Sequence, residues 1–385
     1  MKMLTASIVE FKEPEIAIDE ILEQLQIQKN LLKNSVGFIT SSPDFFESGI
    51  LQAITSALPF PIVGCTSFLN ANNCCCEDKI LCLTVLTASD CEFTVANTSL
   101  TLDNFSTDIT RAYIEAKEKL GNEPKLIFSF IPFINSINGG EIFQVVKNVS
   151  KTCPVFGLVA CDSHINHPGR AQVLNQYGCG YNNLSLILIA GNINPQFFIA
   201  SFTHDNVFQK YHFITSGDNF SIRTVNGFTF KEFLVSFGFF QNNASEDFSA
   251  VPVVINHNDG SIPEVRAIHS LTSEGFALCG GITSSGSTLS IGHLDFDDIL
   301  KTTEQSIINI SQIANTNGAI IFSCLGRQTV LGADLRAEIN LVQKHIPHSI
   351  PWHFAYSAGE ICPTLSLEAN FINRFHNYTF VACTF

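Results

Sequence analysis

Two charged residues stand just past apolar runs that have the length of buried strands: Arg327 in SCLGR, after GAIIFSC, and Glu360 in SAGE, after PWHFAYS. A guanidinium there keeps its charge and needs an anion, since stripping a buried charge of its partner costs about 3 to 5 kcal/mol. Two readings follow. Either Arg327 and Glu360 pair and tie two strand ends together, or both face a small ligand with an anionic end and a cationic or hydroxyl end, as a zwitterion has. Arg266, in the strand-like EVRAIHSL, is either a third contact to that ligand or a solvated strand residue.

Cys161, Asp162, Ser163 and His164 are consecutive and include a nucleophile and a base. Neighbours on a strand point to opposite faces, so they converge as nucleophile and base only through a sharp turn. Asp162 reads as a crevice-lining acceptor or the start of a turn, and a Cys161-dependent enzyme stands as an alternative. CGGITSSGS, residues 279 to 287, lacks the lysine and following helix of a phosphate loop and reads as a turn between strands. Among the 11 histidines, His353 beside Trp352 and His212 beside Tyr211 are the candidates to ligate haem iron, in a chain whose 34 phenylalanines could line such a pocket. The 13 cysteines hold no C-x-x-C pair and read as small buried apolar residues of a reducing compartment.

The elements that must position these residues are written three times. SVGFIT, FFESGILQAITSAL, PIVGCTSF and KILCLTVL form a first unit; KLIFSF, GGEIFQVVKNVSKTC, PVFGLVACD and NLSLILIAG a second; GAIIFSCLGR, LRAEINLVQKHI, PWHFAYSAGEI and YTFVACTF a third. Each reads strand, loop, helix, strand, long connection, strand. The proline opening the third phrase of each unit, Pro61, Pro154 or Pro351, stops the helix before it. The glycine inside the following strand, Gly64 or Gly157, predicts a bulge or a close backbone approach. A strand-helix-strand unit of this length is parallel, so both strands end at one sheet edge, where open α/β sheets place ligands.

Residues 192 to 300 differ: they alternate apolar and polar positions between Asn, Asp and Gly turns, which predicts antiparallel strands with one helix at FKEFLVSFGFF. The expected architecture is α/β with α+β character, built from repeated β-α-β units in mixed sheets flanked by helices, with this antiparallel insert segment. Its domains are 1–191 and 192–385. A net charge of -14 and the lack of any basic cluster argue against nucleic acid and anionic membrane as partners. No apolar run approaches the roughly 18 residues of a membrane span, and the N-terminus meets charge before a signal-like apolar stretch could form, so a cytoplasmic protein is expected.

PIVGCTS, PVFGLVACD, GDNFSIRTVNGFTFKEFL and above all SCLGR, LGADLRAEI and SAGEICP resemble the FIST family, the F-box and intracellular signal transduction proteins, in both its N-terminal and C-terminal domains. The resemblance implies a sensory module without a general catalytic activity, proposed to bind small ligands such as amino acids. It also implies a partner such as a histidine kinase, a chemotaxis receptor or a cyclic-di-nucleotide enzyme; haem, with a response to nitric oxide, is the alternative ligand. The matched positions are Gly64, Cys65, Gly157, Asp162, Arg327, Glu338, Tyr356, Gly359 and Glu360. With Arg266 added, the expected ligand set is Arg327, Glu360, Tyr356, Gly359, Gly157, Asp162 and Arg266. Two positions depart from the family's pattern: FLNANN follows PIVGCTS where a Gly-Glu is usual, and Phe354 stands where the phrase usually has glycine.

Overall fold

A computed structural model describes residues 1–385 except 78, 163–168, 203–210, 219, 240–250, 284, 314–315 and 366–369. Each repeat unit builds a six-stranded sheet on one plan. In the first, Asn34–Ser41 and Ile62–Thr66 run parallel, Ile80–Ala88 returns antiparallel beside Asn34–Ser41, and Lys2–Val9 lies outside it. The second repeats this with Leu126–Ile131, Val155–Val159, Asn183–Gly191 and Cys91–Ser99. The third uses Ala319–Cys324, Trp352–Ser357, Phe380–Thr384 and Gln196–Ala200. The prolines confirm the copying at atomic level. The carbonyls of Pro61, Pro154 and Pro351 accept the equivalent backbone N–H in every unit, from Gly37 (2.9 Å), Ile127 (3.0 Å) and Ala319 (2.9 Å).

Each sheet is completed by a hairpin from another unit. The hairpin of Asn70–Asn72 and Cys76–Glu77 leaves the first unit to pair with Trp352–Ser357 of the third. That of Val173–Asn175 and Gly178–Gly180 joins the second unit to Ile62–Thr66 of the first, and that of Glu360–Leu365 and Phe371–His376 joins the third to Val155–Val159 of the second. The exchange therefore closes a ring.

One face of every sheet is turned to a shared core containing Phe38, Phe128, Phe156, Phe322 and Val381. The other face is covered by that unit's helices: Pro14–Leu25 and Ile50–Ala57, Phe105–Leu120 and Gly139–Ser150, or Phe296–Ser311 and Ala337–His345. Burial on both faces is why the central strands read as unbroken apolar runs without alternation. The strand glycines allow close approach: a Cβ at Gly64 would lie 1.9 Å from the Ile39 carbonyl oxygen and one at Gly157 2.0 Å from that of Ser129. The third unit fits Phe354 at the same register position, opposite Ile321, with its ring 5.1 Å from that of Tyr356.

The insert forms an antiparallel sheet that includes His212–Gly217, Ser221–Val225, Val253–Asn256, Glu264–Arg266, Ala277–Cys279 and Thr288–Ile291. Its core includes Phe230 and Phe233 of the helix Phe230–Ser236, which opens with a capping box of Thr229 and Glu232. The architecture is the mixed α/β fold read from the sequence. Among the described residues strand outweighs helix, 39% to 27%, because each unit adds edge strands and a hairpin to its β-α-β core.

Candidate functional site

Arg327 does not meet Glu360 in an ion pair; its partner is Glu338 of the helix Ala337–His345. Both side chains are fully buried, and Arg327 Nη2 and Nε lie 3.0 and 3.1 Å from Glu338 Oε1. The other guanidinium donors go to the carbonyls of Ser201 (2.5 Å), Ile299 (3.1 Å) and Tyr378 (3.4 Å) and to Thr303 Oγ1 (2.6 Å). Glu338 also accepts from Thr303 Oγ1 and Ser323 Oγ, both at 2.7 Å, and from the Tyr356 hydroxyl at 3.1 Å. Arg327 and Tyr356 thus belong to a buried network that ties helices to the third sheet. The sequence placed the cation at a strand end but left its partner undecided, because Glu338 lies 11 residues away on a helix and meets it only through tertiary packing.

Glu360 heads the exchanged hairpin strand and is likewise fully buried. It accepts hydrogen bonds from Ser357 Oγ (2.6 Å), Thr379 Oγ1 (2.8 Å) and the Thr379 N–H (3.4 Å), and among the described residues no ion pair joins it. Burial, only partly offset by these bonds, raises its pKa to about 8. Around it the C-terminal ends of the three second strands meet. The Cys161 N–H donates to the Thr66 carbonyl (3.1 Å), and Cys161 Sγ and Ser67 Oγ both donate to the Tyr356 carbonyl, at 3.3 and 2.7 Å. Gly157 pairs with Ile361, and Gly359 packs so tightly that a Cβ would lie 2.5 Å from Phe375 Cζ. Asp162 is nearly buried at the rim, where it accepts from Arg170 Nε at 3.4 Å; Arg170 also donates to Asp44 at 2.6 Å. Ser163 and His164 lie outside the described residues. Among the described residues these strand ends pack directly against one another.

Arg266 is not a solvated strand residue: it is buried, bonds Glu264, and donates to the carbonyl of Phe375 at 2.6 Å. Glu264 also faces Arg374 Nε (2.5 Å) and His257 Nε2 (3.2 Å), while Arg374 reaches Asp259 as well, so this cluster fastens the insert sheet to the third unit's hairpin. Burial raises and the two arginines lower the Glu264 pKa, with the net result well below the usual carboxylate range. Glu264, Arg374 and Asp259 carry no sequence signal that would bring them together. His353 bonds Thr40 Oγ1 and Thr84 Oγ1 through its two ring nitrogens, each at 2.9 Å, between Phe38 and Phe322, and burial lowers its pKa to about 3. It is a core residue with no nitrogen left for haem iron. His212 packs on Phe233 and Phe237 with Nδ1 2.9 Å from Asn226 Nδ2. Among the described residues no group of His, Cys, Asp and Glu is arranged to hold a metal ion.

An open concavity lies at the opposite end of the sheets, where the parallel strands begin. It is a cleft of about 660 Å³ between the first and second units, with Lys33 and Lys125 immediately before Asn34–Ser41 and Leu126–Ile131. Asp90, in the turn linking the units, accepts from Asn192 Nδ2 at 3.3 Å, and Glu92 accepts from Asn122 Nδ2 at 2.7 Å. Neither lysine amine makes a hydrogen bond or ion pair among the described residues. Gly191 (φ 111°) lets the second unit's last strand close on this turn, since a Cβ there would lie 2.3 Å from the Asp90 carbonyl oxygen. Sequence analysis missed the cleft because its residues are surface Lys, Asp, Glu and Asn at four separate places in the chain.

The fold defines a class: interlocked β-α-β repeat sheets around one core, with an appended antiparallel sheet. The FIST N domain model matches residues 35–228 and the FIST C domain model residues 230–363, so the chain belongs to the FIST family, whose domains are associated with sensory signal transduction. No curated protein matches it. Among the described residues no helix is long and apolar enough to cross a membrane.

Proposed function

We propose that this protein is a non-catalytic sensory module that binds a small amino-acid-like metabolite and passes its state to a separate signalling protein. The cleft at the start of the parallel strands carries this reading. Its volume falls within the roughly 300 to 1,000 Å³ usual for small-molecule sites. Two uncommitted lysine amines suit a carboxylate, and two carboxylates held by asparagine amides suit an ammonium group. The cleft also touches the turn from the first unit to the second and the segment leading to the third, so an occupant would bridge the connections between units. The alternative of a Cys161-dependent enzyme is disfavoured, since burial raises that thiol to about 12 and leaves almost no thiolate at neutral pH.

A thermal-shift screen of amino acids and related metabolites tests the proposal. A stabilising compound is expected to lose its effect in the Lys33→Ala/Lys125→Ala double variant. A shift that survives the double variant would move the site elsewhere.

A further inference from the structure

We propose that Glu360 is a proton-operated latch: uncharged, it seats the hairpin of Glu360–Leu365 and Phe371–His376 in the second unit's sheet, and ionised, it loosens that hairpin. The geometry comes first. Glu360 is fully buried at the base of the hairpin, at the junction where all three units touch, and its oxygens meet two hydroxyls, one backbone N–H and the Cys324 thiol. Hydroxyls donate and accept, so Ser357 and Thr379 can serve the acid as well as the carboxylate. A buried charge without a counter-ion is what such a site tolerates least.

Among the described residues the titratable groups around Glu360 offer no cation. Cys324 approaches from the third unit's first strand and Cys161, next to Asp162, from the second unit, and burial raises both thiols. His376 pairs with Glu360 across the hairpin, but its ring is engaged with the Cys362 carbonyl at 2.9 Å and burial lowers its pKa to about 4, so it is neutral at physiological pH. Burial raises the Glu360 pKa to about 8, which places the change of charge within reach of ordinary pH. The same hairpin carries Arg374 and the Phe375 carbonyl, which grip Glu264, Asp259 and Arg266 of the insert sheet. Release of the hairpin therefore slackens the docking of that sheet.

Amide hydrogen exchange of the full chain between pH 6 and pH 9, corrected for intrinsic rates, tests the latch. Protection of the two hairpin strands is expected to fall roughly tenfold per pH unit from pH 6 up to the midpoint near 8 and to level off above it, as linkage to one proton requires, while Glu360→Gln shows no such fall. A flat wild-type profile, the same fall in Glu360→Gln, or a fall spread evenly over all three sheets would overturn it. A carbon-13 titration of the Glu360 carboxyl in the wild type gives a readout that needs no variant: a midpoint between 7 and 9 supports the latch and one below 6 refutes it. The Lys33→Ala/Lys125→Ala variant is expected to keep the wild-type profile, so the latch and the cleft fail or stand separately.

Discussion

The two acids nearest the third unit's strand ends have opposite fates. Glu338 is paired with Arg327, both side chains fully buried, so Glu338→Ala should cost about 3 to 5 kcal/mol by stranding the guanidinium, measured as a loss of urea stability. Glu360 has no such partner among the described residues, and its pKa is raised from 4.5 to about 8. The folded state therefore holds a proton that the unfolded chain gives up. Stability from this group is fully present below about pH 4.5 and is lost as pH rises through about 8, by up to about 1.4 kcal/mol per pH unit. Wild type should accordingly lose ground to Glu360→Gln between pH 6 and 9 in urea titrations. His353 works on the acid side: its folded pKa of about 3 lies below the ordinary 6.5, so stability should fall as pH drops below 6.5 toward 3, a loss absent in a His353→Gln variant that still folds. The charges of Arg327 and Glu360 were legible in the sequence; their partners were not, because Glu338, Thr303 and Thr379 arrive from separate elements.

The copied strand, helix and proline phrases could be read directly, since each is a local consequence of residue type. The glycine of the second strand was legible as a place of close approach, and the structure shows against what: the carbonyl of the parallel neighbour. Gly157→Ala would place a methyl group 2.0 Å from the Ser129 oxygen, and the strand pair cannot part without disturbing cores on both faces. A loss of about 3 kcal/mol or more is expected in chemical denaturation. The destination of the hairpins was not legible. Short strands such as Cys76–Glu77 and Gly178–Gly180 pair through backbone groups that every residue carries, so their partners leave no trace in side-chain pattern.

The ring closes only when all three units are present. A fragment of residues 1–228 would lack the third sheet that receives the first unit's hairpin and the Glu360–His376 hairpin that completes the second sheet. It should not unfold cooperatively, and its exposed edges should promote aggregation, whereas the full chain should show one sigmoidal transition by both circular dichroism and tryptophan fluorescence. Trp352 reports on the third unit, so a separate fluorescence transition would contradict a ring that unfolds as one body.

By itself the sequence determined that the chain is acidic, that it repeats a β-α-β phrase three times, that an alternating antiparallel segment interrupts the repeats, and that it resembles the FIST family. Composition, apolar periodicity and the backbone limits of proline and glycine act over a few residues, and they survive in any reading of the chain. The tertiary structure alone decided that Arg327 answers to Glu338, that Glu360 is buried where the strand ends meet, and that a cleft opens where the strands begin. Such facts depend on which surfaces meet, and pairing between distant segments is fixed by the packing of the whole, not by any stretch of sequence.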